Sequence, residues 1–138
     1  MNVLITGSTG LIGSALVESF NSAGYLVVRL VRREPSSAHE ASWNVRTGEI
    51  DPELVESAGV VIHLAGENLA GGRWIAKRKQ RIFDSRGQVT RNLCSYLASN
   101  GAFSGVFICA SATGFYDDRG AEELIEEISQ GEGFLAEC

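Results

Sequence analysis

The chain has few of the features that would brace it from outside its own core or attach it to a surface. Its 138 residues include only 3 cysteines, Cys94, Cys109 and Cys138. An odd number without C-x-x-C spacing argues against a disulfide framework or a cysteine metal site, and fits the reduced thiols of the cytosol. Cys94, in a helical pattern, and Cys109, in an apolar strand pattern, read as packing residues. The 2 histidines, His39 and His63, stand too far apart in sequence to argue for a metal, so none is expected. No apolar run is long enough to cross a bilayer. A strand that begins at the first residue leaves no room for a signal peptide, so the expected location is cytoplasmic, with no membrane partner. With 2 prolines, no internal repeat, no heptad seam and no low-complexity tract, nothing suggests disorder.

An excess of positive charge is also missing. The net charge is −5, which argues against a general nucleic-acid binder. The charges are unevenly spread: seven of the 12 basic residues fall within residues 73–91, and eight of the 17 acidic ones within 117–137. A basic cluster can contact phosphates. It can equally be the solvated face of a long helix, and here Ile82, Val89, Leu93 and Leu97 supply the apolar side of such a helix. A hydrophobic fraction of 44% in one domain of this length suffices to bury a core.

Residues 1–6 read as a buried strand that runs directly into TGSTGLIG, residues 6–13. Glycines at 7, 10 and 13 let the turn tighten, let a diphosphate approach the backbone, and let the next helix pack closely on the strand. The helix that follows, with Leu11, Ile12, Ala15, Leu16 and Phe20 read as one face, points its free N–H groups at an anion. Gly7, Ser8, Thr9, Gly10, Leu11, Ile12 and Gly13 are therefore candidate dinucleotide-binding residues.

Downstream, β and α patterns alternate. Residues 25–31 form an apolar strand, 41–44 a short edge strand, 51–57 a short helix, 59–65 another apolar strand, 74–98 the basic helix ending at Asn100-Gly101, and 105–110 the last strand. Continuous apolar strands separated by helices predict an α/β fold. The expected form is a Rossmann-like doubly wound parallel sheet of order 3-2-1-4-5, with the ligand at the carboxyl ends beside the switch between the first and fourth strands. Arg32 lies nineteen residues past Gly13, at the end of the second strand. An acid there would hold the ribose hydroxyls of NAD. Arg32 and Arg33 instead offer guanidinium forks to a 2′-phosphate, which favours NADP over NAD; the alternative is a pair of surface arginines.

The TGxxGxxG spacing, HLAGENLAGGRW at 63–74, Ser85-Arg86 with Thr90-Arg91, SATGFY at 111–116 and GFLAE at 133–137 together resemble one branch of the extended short-chain dehydrogenase/reductase superfamily. That branch is the NAD(P)-dependent epimerase/dehydratase-like group. The resemblance implies that Leu64, Ala65 and Gly66 contact the ribose and diphosphate. It places Arg86 where related enzymes carry a polar active-site residue, so Arg86 either reaches a phosphate or substrate or is a solvated helix arginine. It makes Ser111 the catalytic hydroxyl beside the nicotinamide. The usual Y-x-x-x-K acid/base pair is missing: Phe134 stands about where the tyrosine belongs, and no lysine follows four residues on. The chain is also about half the length usual for the family, so the substrate-walling C-terminal part is expected to be missing, the chain being a fragment or a minimal cofactor-binding half.

Two functions follow from that resemblance. One is an NADP-dependent, nucleotide-sugar-epimerase-like oxidoreductase acting on a small hydroxyl or carbonyl substrate. The other is a catalytically weak NADP-binding sensor or scaffold. A third reading, in which the glycine turn is incidental and the basic helix is an interaction surface, comes from the charge pattern alone. A homodimer is the candidate assembly.

Overall fold

In the computed structural model, which describes residues 2–99 and 103–138, five strands form a single parallel sheet. They are β1 (Asn2–Thr6), β2 (Leu26–Val31), β3 (Glu40–Ser42), β4 (Ala58–His63) and β5 (Val106–Cys109), in the order β3-β2-β1-β4-β5. This is the expected Rossmann-like topology, and every neighbouring pair is parallel. Met1 of the expected first strand and the Asn100-Gly101 end of the basic helix lie outside the described residues.

Side chains of β1 alternate across the sheet because a strand has a period of two. Val3 and Ile5, with Val27 and Ile62, face α1 (Leu11–Ser22), which packs on them through Leu16, Val17 and Phe20. Leu4, with Val28, Leu30 and Val61, faces a larger cluster that includes Val55 of α2 (Pro52–Ser57) and Leu93 and Leu97 of α3 (Ala76–Ser99). Trp43 and Ile50, from the loop after β3, complete that layer.

Two expectations about helix faces change. Leu11 and Ile12 are 91% and 62% exposed, and Ala15 is exposed too, so among the first residues of α1 only Gly13 is buried, packed against the turn after β1. On α3, Ile82, Leu93 and Leu97 are buried and Val89 packs against the core, while Lys77, Lys79, Arg81 and Arg91 face solvent. Arg78 departs from the solvated pattern: it is buried and donates to the Asn68 carbonyl.

The strand expected over 59–65 stops at His63. Leu64 N–H is shared between the Thr6 carbonyl at 3.3 Å and the Thr6 hydroxyl at 3.2 Å, and Ala65 N–H turns to that hydroxyl. At the far edge, Val106 and Ile108 of β5 are 58% and 48% exposed on the face that α1 covers elsewhere. A 3-10 turn (Thr113–Tyr116) follows, then an irregular acidic stretch, then α4 (Phe134–Glu137). The stretch folds back, since Gly131 N–H bonds the Phe115 carbonyl at 2.9 Å. Among the described residues, no helix is long and apolar enough to cross a membrane.

Candidate functional site: a dinucleotide cleft

The turn after β1 is closed by Gly10 N–H on the Gly7 carbonyl at 3.0 Å. Gly7 has φ +67°, a conformation open to glycine, and a Cβ there would meet the Leu64 carbonyl carbon at 2.7 Å. A Cβ at Gly13 would stand 2.3 Å from the Gly7 oxygen. A Cβ at Gly10 would make only a 3.4 Å contact with that oxygen. The first and third glycines are therefore required by the protein's own backbone, whereas the middle one is required only if something outside the chain approaches. No side chain caps α1 and no acid lies in its first turn, so its N-terminal N–H groups are open to an external anion.

These groups form one end of a cleft of about 680 Å³ across the carboxyl ends of β1, β2 and β4. It brings together Gly7, Ser8, Thr9, Gly10, Arg32, Arg33, Leu64, Ala65 and Gly66. Leu11 and Ile12 stay outside its lining, exposed on α1, and Gly13 is buried beneath the turn. The size and the glycine cradle fit an extended dinucleotide. Trp43, Val45, Ser85 and Val89 also line the cleft. Sequence reasoning did not place them there: it read Ser85 only as part of the Ser85-Arg86 motif, Val89 as part of the apolar side of the long helix, and Trp43 as part of a short edge strand.

The two arginines are not equivalent. Arg33 donates Nη1 and Nη2 to the Glu40 carboxylate at 2.9 and 2.8 Å. Glu40 also accepts the Ser36 N–H and hydroxyl, both at 2.8 Å, and Arg29 stands 3.2 Å away. The Arg33 guanidinium and the two Ser36 donors hold the Glu40 carboxyl down to about 2. Arg32 lies exposed on the cleft wall and, among the described residues, makes no ion pair.

Arg86 lies over Gly66, its Cζ 3.6 Å from where a Cβ would be, and donates to the Glu67 carbonyl at 3.2 Å. Ser85 Oγ accepts the Glu67 N–H at 2.9 Å. The Ser85-Arg86 pair thus clamps the loop after β4 onto α3. Ser111 lies exposed two residues past β5, outside the cleft lining. Phe134, in the place of the expected tyrosine, has its ring against Trp74 at 5.5 Å and under the Lys79 ammonium at 5.1 Å. Neither group brings a phenol to the site.

The family model for the NAD dependent epimerase/dehydratase family matches residues 3–133. An epimerase family protein of Mycobacterium bovis is 40% identical over 135 residues, 98% of this chain and 44% of its own length. The chain belongs to the NAD dependent epimerase/dehydratase family. A second member, from Staphylococcus saprophyticus, is 33% identical over 117 residues, covering 82% of this chain and 38% of its own. Among solved family structures, a nucleoside-diphosphate sugar epimerase from Corynebacterium glutamicum superposes with TM-score 0.79 at 37% identity, over 99% of this chain and 28% of that one. A human epimerase family protein solved with NADPH superposes with TM-score 0.80 at 24% identity, over 99% of this chain and 45% of that one, a likeness of fold. This epimerase-family chain therefore spans less than half the length of these relatives.

Proposed function

We propose that the cleft binds NADP in preference to NAD and that the chain supplies the cofactor site of an oxidoreductase acting on a small hydroxyl or carbonyl substrate, of the nucleotide-sugar-epimerase type. The observation that carries this reading is Arg32, a guanidinium on the cleft wall just past β2 that makes no ion pair among the described residues and stands at the sequence position where an acid would take ribose hydroxyls. Arg33 supports the loop through Glu40 rather than offering a second free fork. The Gly7–Gly10 turn and the open N-terminus of α1 would hold the diphosphate, and the Leu64–Gly66 backbone the adjoining ribose. A bound nicotinamide supplies the hydride chemistry; Ser111 would orient the reacting oxygen by hydrogen bonding.

Calorimetric titration of NADPH and NADH tests cofactor choice. An exposed charge-assisted contact is screened, so the expected preference for NADPH is about tenfold, narrowing as salt rises. Arg32→Asp should abolish it while leaving NADH within about threefold. Equal affinities in the unmodified chain, or equal weakening of both cofactors, would assign Arg32 to the surface.

Phe134 favours a second reading, a cofactor-binding sensor or scaffold with weak catalysis, because no phenol stands where the acid/base group belongs. Turnover with a panel of hydroxy and carbonyl metabolites separates the two: Ser111→Ala abolishes turnover in an enzyme and changes nothing in a sensor.

A further inference from the structure

Beneath the cleft lies a buried polar network centred on His63. Thr6 Oγ1 accepts the N–H of Leu64 and of Ala65, each at 3.2 Å, and lies 2.8 Å from His63 Nδ1. A hydroxyl has two lone pairs and one hydrogen. With the Ala65 amide and a share of the Leu64 amide on its lone pairs, the hydroxyl has its hydrogen left for Nδ1. In that arrangement His63 is a neutral imidazole with its proton on Nε2, which lies 3.1 Å from Thr90 Oγ1 and would donate to it. The ring is 2% exposed, met edge-on by Trp43 and stacked by Phe107.

Every group tied to this ring belongs to the cleft or to an element that shapes it. Thr6 precedes Gly7, Leu64 and Ala65 line the cleft, Trp43 lines it from the loop after β3, and Thr90 is one helical turn past Arg86. Leu64 N–H is shared between the Thr6 carbonyl at 3.3 Å and the Thr6 hydroxyl, whereas Ala65 N–H is held by the hydroxyl.

We propose that His63 is a positioning residue for the cofactor: as an Nε2–H imidazole it orients the Thr6 hydroxyl, which holds the Leu64 and Ala65 backbone against the dinucleotide, and its protonation releases that segment. The inference rests on the reading of the cleft as a dinucleotide site. A protonated ring would turn an Nδ1–H toward an oxygen with no free lone pair, so one amide would have to let go. Burial already pushes the His63 pKa below its ordinary value, which keeps the neutral form at neutral pH. Among the described residues, the titratable groups around it are the thiols of Cys109, beside Thr90, and of Cys94, both raised by burial. Arg86 directs its guanidinium to Glu67 instead, and β1 and the Trp43 loop present no charge to the ring.

The test combines ¹⁵N NMR of the imidazole, amide exchange and NADPH titration on the 138-residue chain, from about pH 7.5 down to the pH at which the NMR shows the His63 ring protonated, which burial places below the ordinary histidine value. The expected tautomer is protonated at Nε2 and bare at Nδ1. His63→Phe keeps an aromatic ring but accepts nothing; it should speed exchange at Leu64 and Ala65 and weaken NADPH about five- to tenfold at the higher pH. His63→Asn, whose carboxamide oxygen can accept the Thr6 hydrogen, should bind within about threefold of the unmodified chain. It should also lose the part of the acid weakening that the unmodified chain shows beyond titration of the cofactor's own phosphate. If His63→Phe does not fold, the tautomer and the pH comparison with His63→Asn decide. Absence of NADPH binding by every form overturns the cofactor reading. NADPH binding that ignores His63→Phe, identical pH dependence in His63→Asn, or a ring protonated at Nδ1 overturns this proposal alone.

Discussion

A methyl group added at Gly13 would stand 2.3 Å from the Gly7 oxygen and 2.8 Å from Ser8 Cα, both backbone atoms with nowhere to swing. Gly13→Ala is therefore expected to destabilise the chain by about 3 kcal/mol, as overpacking against fixed atoms does. Gly10→Ala meets the same oxygen at an ordinary 3.4 Å and should cost about 1 kcal/mol or less, while still weakening cofactor binding. Urea unfolding and NADPH titration of both variants read the difference; similar stability losses would show that the turn is not built as described. Glu40 gives a second prediction at this scale. Its carboxyl is held at about 2 in the fold against an ordinary 4.5, so between those values the unfolded chain binds more protons. The stabilisation is complete above about 4.5 and is lost as pH falls toward about 2. Glu40→Gln should flatten the acid limb of a stability–pH curve in that window. An unchanged slope would place the acid sensitivity in other carboxylates.

The helices depend on different supports. At six residues, α2 is too short to persist alone, and it is started by Asp51, whose Oδ1 accepts the Glu53 N–H at 2.9 Å, with Pro52 in the first turn. Asp51→Ala should cost about 1 kcal/mol in urea unfolding. The 24-residue α3 is held by packing on the sheet. Leu93 is fully buried against the sheet, so Leu93→Ala should cost about 2–5 kcal/mol, whereas Arg91→Ala on the solvated face should stay within about 0.5 kcal/mol. Comparable losses at 91 and 93 would contradict the burial of one face.

Across the whole molecule the sheet is covered unequally. α1 packs on β1, β2 and β4, and the same face of β5 leaves Val106 and Ile108 open beside a strand edge that pairs with no other strand among the described residues. Such an edge is prone to association. Ile108→Thr should change unfolding free energy by about 1 kcal/mol or less and reduce concentration-dependent association in sedimentation velocity. Association that is insensitive to this change would put the contact elsewhere.

What the sequence determined by itself is what neighbouring residues decide together. The strand–turn–helix around Gly7–Gly13 and the 3-2-1-4-5 sheet were readable because glycine spacing, apolar runs and helical periodicity are properties of contiguous segments. The apolar face of α3 was readable for the same reason, but its periodicity could not show that Arg78 would turn inward to the Asn68 carbonyl. Nor could the pattern of α1 reveal that Leu11 and Ile12 would stay in solvent. The pairing of Arg33 with Glu40, which makes one of two adjacent arginines a loop support and leaves Arg32 without an ion pair among the described residues, depends on how β2 and β3 come side by side. The Thr6–His63–Thr90 chain joins residues 57 and 27 positions apart in sequence. Only the packing of β1, β4 and α3 brings them within hydrogen-bonding distance, because a polar side chain's partner is set by three-dimensional proximity and not by its own chemistry.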